Sequence, residues 1–182
     1  METGKQELQE KFKNQMVIRV DILRDVSINY NYAKYLFTNY SLTKINSHWG
    51  HIKYNFFKLL IIDLAKLFVD NQNQKLNFFK FLIQLENEDY KNLGVLQNRI
   101  DHYRNELNAY NQFYTSIKYY RDKLFAHTEI LVGISPQESF FTQLENLINL
   151  GFEISNEFSK TIVNNEIINI INLIDLSDFK IV

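Results

Sequence analysis

The sequence predicts an all-α protein, an antiparallel bundle of about five helices in a single domain that spans residues 1–182. With five Gly and one Pro among 182 residues, the chain lacks the turn residues that a sheet protein of this size needs. Apolar residues also recur three and four positions apart over long stretches, which is typical of amphipathic helices. A hydrophobic fraction of 46% is enough to form a core and excludes a wholly disordered chain.

Five helices are predicted, near residues 5–39, 47–69, 76–85, 89–128 and 136–163. The first has one apolar stripe that includes Met16, Leu23 and Ala33. The second is apolar except for a narrow polar stripe that runs from Asn55 to Lys66, so we expect it at the centre of the bundle. The last 18 residues fit either a short helix or a strand, because they are rich in β-branched side chains.

Charge and composition exclude several classes of function. Twenty Lys and Arg against 21 Asp and Glu give a net charge of −1, so global charge does not indicate a nucleic-acid binder. The absence of Cys excludes disulfides, thiolate chemistry and zinc–cysteine sites. The N-terminus lacks the apolar run of a signal peptide, and residues 54–69 are too short and too charged to span a bilayer. We therefore expect a cytoplasmic protein without a membrane partner.

The fourth predicted helix contains a residue that does not suit its position. Its apolar stripe comprises Leu93, Leu96, Ile100, Tyr103, Leu107, Tyr110, Tyr114, Ile117, Arg121 and Leu124. A guanidinium in such a stripe must find an anion or a water-filled cavity, because an unpaired buried charge is costly. Arg121 is therefore a functional residue, one half of a structural ion pair with a carboxylate such as Asp63 or Glu106, or both.

His127 follows Arg121 by six residues, close to the predicted end of the same helix. In an ideal helix the two lie about 9 Å apart along the axis and roughly 120° apart around it. One chain therefore holds a poorly converging pair, which favours a composite cleft across the two-fold axis of a homodimer. The simpler alternative is a histidine that the helix dipole stabilises at a C-terminus.

The residue types around this pair suit RNA cleavage. An imidazole with a pKa near 6.5 can take a proton from a 2′-hydroxyl or give one to a leaving oxygen, and a guanidinium matches phosphate geometry. Lys118 and Lys123 add positive charge, and Tyr120, like Tyr114 and Tyr119, offers a face for base stacking. Asp122 can pair with a Lys or orient an imidazole. This chemistry requires neither a metal ion nor a cofactor.

The run RDKLFAHTE, residues 121–129, together with residues 56–82, resembles the HEPN superfamily and in particular its abortive-infection AbiU branch. The resemblance covers about residues 45–160; residues 1–44 and the tail, 165–182, match only in general character. It implies a dimeric helical bundle with metal-independent endoribonuclease activity, acting in phage defence or as a toxin. Arg121 and His127 would then be catalytic, with Asp122 at the polar position that often follows the Arg.

The same resemblance makes an antitoxin or other neutralising protein a candidate partner. In a related HEPN group a partner nucleotidyltransferase modifies a Tyr two residues after the His. Glu129 occupies that position here, so we do not expect this route of neutralisation.

Two less specific functions stay open beside the ribonuclease. One is a catalytically silent HEPN-like module that binds RNA, nucleotide or a protein partner; the other is a helical protein–protein interaction module. Of these two, only the protein–protein interaction module does not need an Arg in the apolar stripe. His48 and His51 have a spacing that can hold a metal, but neither a carboxylate nor a third His is near them in sequence, so no metal site is predicted.

Overall fold

The structure is a computed structural model that describes residues 2–38, 47–69, 75–87, 90–126 and 136–164. These ranges form helices and no strand, which confirms the all-α prediction for the described part of the chain. The α-helices are α1 (Glu2–Thr38), α2 (Ser47–Phe68), α3 (Phe78–Glu86), α4 (Gln97–Asn108), α5 (Asn111–Ala126) and α6 (Glu138–Val163), and a short 3₁₀ helix covers Lys91–Leu93. His127 and the tail, residues 165–182, lie outside the described residues.

Four of the five predicted helices are confirmed, with ends shifted by three residues or fewer. They correspond to α1, α2, α3 and α6. The apolar stripe of α6 is buried along its length, from Phe140 through Leu147 to Ile162. Apolar periodicity therefore located these helices because each of them places one continuous face in the core.

The prediction of one unbroken helix over residues 89–128 is wrong. Gly94 has a φ of +83°, a left-handed conformation that ends the 3₁₀ helix and that glycine adopts without steric cost. Leu96 follows in an extended conformation and is 66% exposed. A second break separates α4 from α5, where the Tyr110 amide donates to the Leu107 carbonyl at 3.1 Å and tightens the end of α4.

Helix α2 buries apolar residues against several neighbours, and its central place in the bundle stays a prediction. It packs against α1, α3 and α5, and Phe57, Leu60 and Leu64 are completely buried. The ion pair of Asp63 with Lys66, at 2.7 Å, lies on the predicted polar stripe. Leu59, however, is 49% exposed, so apolar surface borders this stripe.

Side chains of α1 and α2 pack closely against α6 at Gly151. A β-carbon at this position would lie 2.8 Å from Leu23 Cδ2 of α1 and 3.0 Å from Phe68 Cζ of α2. Both of those side chains are completely buried, so neither has free space into which it can move. The absence of a side chain at Gly151 therefore allows the three helices to pack at this distance.

A buried arginine holds the chain that leads into α3. Arg19 of α1 is completely buried, and its Nε donates to the carbonyl of Leu76 at 3.1 Å. Its guanidinium also lies 4.6 Å from the ring centre of Phe81, and burial lowers the pKa of Arg19 to about 10. Asn77, the N-cap of α3, accepts from the Phe79 amide and donates to the Val69 carbonyl. These bonds join the end of α2 to the start of α3.

The close contact at Gly151 gives a stability prediction. We expect Gly151→Ala to lower the free energy of unfolding by about 1 kcal/mol, because crowding in a packed core costs more than the gain in helix propensity. Gly50 of α2 is the matched control, since a β-carbon there meets nothing within 4 Å. Gly50→Ala should raise the free energy of unfolding by about 0.5 kcal/mol. Urea titration of both variants measures these changes, and equal stabilisation by the two would contradict the packing at Gly151.

Candidate functional site

Helix α5 carries the candidate site and is fixed to the core by its inner face. Phe113, Ile117 and Leu124 on this face are buried. The ring of Tyr120 lies 5.4 Å from that of Phe57 on α2 and 4.9 Å from that of Phe140 on α6. These aromatic contacts set the position of α5 relative to its neighbours.

Arg121 lies on the inner face of α5, between the buried residues Ile117 and Leu124, as the sequence predicted. It follows Ile117 by four residues and precedes Leu124 by three, and its side chain is only 25% exposed. Among the described residues, its ion pair is made with Asp122 and not with Asp63 or Glu106, the partners considered from sequence. The stem of Arg121 is thus shielded while its guanidinium reaches the surface.

Asp122 orients the guanidinium of Arg121. Its Oδ1 accepts from Nε at 3.0 Å and from Nη2 at 2.8 Å. Asp122 itself is 57% exposed. The sequence left open whether this carboxylate pairs with a Lys or with an imidazole, and the contact it makes in the described structure is with the neighbouring arginine.

The outer face of α5 combines positive charge with an exposed aromatic ring. Lys118 and Lys123 are both exposed, and Tyr119 is 53% exposed. The Nζ of Lys123 lies 4.6 Å from the centre of the Tyr119 ring, within the range of a cation–π contact. This basic aromatic face, formed by Lys118, Tyr119 and Lys123, is suited to a strand that carries phosphates and bases.

Tyr120 differs from Tyr119 in its surroundings. Its ring packs inward between α2 and α6, and burial raises the pKa of its hydroxyl above the usual value. The exposed ring beside the lysines is that of Tyr119, which sequence reasoning named only as one of several tyrosines. Periodicity could have separated the two, because Tyr120 lies three residues after the buried Ile117.

A residue that the sequence did not indicate contacts the end of α5. The hydroxyl of Tyr54, on α2, donates to the main-chain carbonyl of Leu124 at 3.3 Å. Residues 54 and 124 are 70 positions apart, and the bond involves a backbone atom. No sequence pattern therefore predicts this hydrogen bond.

The remaining histidines of the described residues lie on other helices. His48 and His51 are exposed near the start of α2, and His102 is exposed on α4. Within the described ranges, no three His, Asp or Glu side chains are grouped closely enough to hold a metal ion. Nor does any helix in those ranges have both the length and the apolar character needed to cross a membrane.

Comparison of the chain with family models, curated proteins and solved structures finds no match in any of the three. The function therefore has to be inferred from the residues of this chain and from their geometry.

Proposed function

We propose that the protein is a metal-independent endoribonuclease of the HEPN type that acts in phage defence or as a toxin. The observation that carries this proposal is Arg121, a cation on the inner stripe of α5 whose guanidinium is oriented by Asp122. Its side chain is only 25% exposed and lies between the buried Ile117 and Leu124, yet its guanidinium is directed to the surface, where it can meet a phosphate. Six residues after Arg121 stands His127, the only other side chain of RDKLFAHTE that is suited to proton transfer at neutral pH.

The proposed reaction is an internal transesterification of RNA. The 2′-oxygen attacks the adjacent phosphorus, so that a bond from phosphorus to the 2′-oxygen forms and the bond to the 5′-oxygen breaks. One proton leaves the 2′-hydroxyl and one proton arrives on the 5′-oxygen, which leaves a 2′,3′-cyclic phosphate and a 5′-hydroxyl. The imidazole of His127 transfers protons, and Arg121 stabilises the negative charge that grows on the phosphorane.

The exposed residues of α5 supply the binding part of this proposal. Lys118 and Lys123 attract the phosphates of the strand, and the Tyr119 ring offers a face on which a base can stack. Single-stranded RNA is the favoured substrate because its unpaired bases are free to stack on an aromatic side chain. Tyr120 contributes by holding α5 in place through its contacts with Phe57 and Phe140.

A two-fold homodimer completes the proposed site. Residues six positions apart point about 120° apart in an ideal helix, so Arg121 and His127 of one chain would not converge there. A second copy related by a two-fold axis brings its own Arg121 and His127 to the same cleft, where a group from each chain serves one phosphate. Both the antiparallel arrangement of the bundle and the two-fold dimer are parts of this proposal.

The first test is cleavage of labelled single-stranded RNA in excess EDTA. We expect wild-type protein to leave cyclic phosphate and 5′-hydroxyl ends. His127→Ala should lower the rate by about 10²–10⁴-fold through loss of proton transfer. Arg121→Ala should lower the cleavage rate by roughly 10²–10³-fold. Arg121→Lys should retain only part of the wild-type rate, because an ammonium lacks the planar fork of a guanidinium.

His102→Ala is the matched control, since it removes an exposed imidazole from α4 and should leave the rate unchanged. Cleavage that stops in EDTA, or a His127→Ala variant as fast as wild type, would refute the mechanism. RNA binding without cleavage would instead favour the catalytically silent module.

The second test concerns the dimer. Light scattering at micromolar concentration should give about twice 21.8 kDa, the mass of one chain. Coexpression of Arg121→Ala and His127→Ala chains under different affinity tags gives a mixed dimer with one intact Arg121 and one intact His127. This mixed dimer should cleave faster than either parent variant. A monomer that cleaves RNA at full rate would disprove the composite site.

A further inference from the structure

Helices α2 and α5 run antiparallel where they touch, and α6 covers one side of the pair. Tyr54 of α2 contacts Leu124 of α5 through its hydroxyl. Further along α2, Phe57 contacts Tyr120, which comes earlier on α5, so the two chains run in opposite directions. The ring of Phe140, on α6, lies 6.2 Å from that of Phe57 and 4.9 Å from that of Tyr120. Helix α6 therefore closes the side on which these two rings lie.

The next residue of each helix, Lys58 on α2 and Arg121 on α5, lies on the other side of the pair. Successive residues of an α-helix are turned by about 100° around its axis. Because the two helices run in opposite directions, this turn carries both residues the same way, from the side of α6 to the side away from it. The Phe57 and Tyr120 rings are 5.4 Å apart, so Lys58 and Arg121 stand at the same level of the two helices. Both side chains are half-buried.

The charged groups of these two residues lie near the boundary between α2 and α5. The Nζ of Lys58 is 5.9 Å from the centre of the Tyr54 ring, whose hydroxyl reaches the backbone of α5. Arg121 donates to Asp122 through Nε and Nη2, so among the described residues its Nη1 is left for another acceptor. Two cations at neighbouring positions repel each other, and an anion bound between them relieves that repulsion.

We infer that Lys58 and Arg121 together bind one phosphate of a single RNA strand. This inference rests on the proposed function and adds Lys58 to it as a substrate-binding residue, where sequence reasoning placed it only on the polar stripe of α2. Lys58 supplies a compact charge and Arg121 a planar fork, so the two can hold different oxygens of the same phosphate. Lys118, one turn before Arg121 on α5, continues the positive charge along the strand.

The test measures the affinity of the full-length protein for a fluorescent single strand of 2′-O-methyl RNA, which has phosphates but no 2′-hydroxyl to react. At about 0.1 M salt, Lys58→Gln should weaken binding about fivefold. The slope of log affinity against log salt concentration should become shallower by about 0.7, the value for one phosphate contact on a single strand. Lys58→Arg keeps the charge and should retain most of the affinity.

Lys53→Gln is the matched control, because it removes one lysine charge from the same helix on the side of α1. The Nζ of Lys53 lies 4.5 Å from the centre of the Phe37 ring of α1. This variant should leave the salt slope unchanged. Urea titration of every variant gives the folded fraction by which its affinity is corrected.

A double variant tests whether the two cations share one phosphate. Substitution of both Lys58 and Arg121 by Gln should weaken binding by less than the product of the two single losses, because each substitution weakens a contact in which the other residue takes part. Losses that multiply would place the two residues on separate phosphates and overturn the shared site.

The inference is also overturned if Lys58→Gln binds the strand as tightly as wild type, if Lys53→Gln weakens binding equally, or if the wild-type protein does not bind the strand. Failure of the proposed function is a different result. A wild-type protein that binds this strand through Lys58 and cuts no RNA refutes the ribonuclease and leaves the phosphate site in place.

Discussion

The close approach of three helices at Gly151 is the constraint on which the rest of the fold depends. Because no side chain stands there, Leu23 of α1 and Phe68 of α2 contact the backbone of α6 directly. Phe57 lies three turns before Phe68 on the same face of α2, so a shift of α2 at the crossing would also move the ring that contacts Tyr120. The packing at Gly151 thus determines, through the rigid length of α2, where α5 and its charged residues lie.

The sequence predicted the helices whose apolar faces run without interruption. It failed where the helical backbone breaks although the spacing of the apolar residues continues. Leu107, Tyr110 and Tyr114 keep the spacing of three and four across the junction of α4 and α5, although the chain turns between them. Periodicity reports which residues face the core but not whether the backbone between them stays helical. Gly94 was a usable signal for the earlier break, because a glycine within a helical pattern often marks a turn.

For the candidate site, the sequence predicted the unusual position of Arg121 but not its partner. Asp63 and Glu106 are distant candidates, because a guanidinium in an apolar stripe needs an anion or a water-filled cavity. The guanidinium instead reaches the surface along the flank of α5, where the adjacent Asp122 is available. The contact from Tyr54 was beyond sequence reasoning for a related physical reason, since its acceptor is a main-chain carbonyl that every residue has.

The exposure of the Arg121–Asp122 pair bears on how such a site can work. Ion pairs at a protein surface contribute about 0–1 kcal/mol, because water screens the charges and ordering the side chains costs entropy. With Asp122 57% exposed, its carboxylate can fix the direction of the guanidinium without binding it strongly. In the proposed function, a phosphate of the bound strand competes with this carboxylate for Arg121, since it offers the guanidinium fork two oxygens in one plane. A deeply buried carboxylate would have held Arg121 more firmly, because breaking a buried ion pair leaves an uncompensated charge.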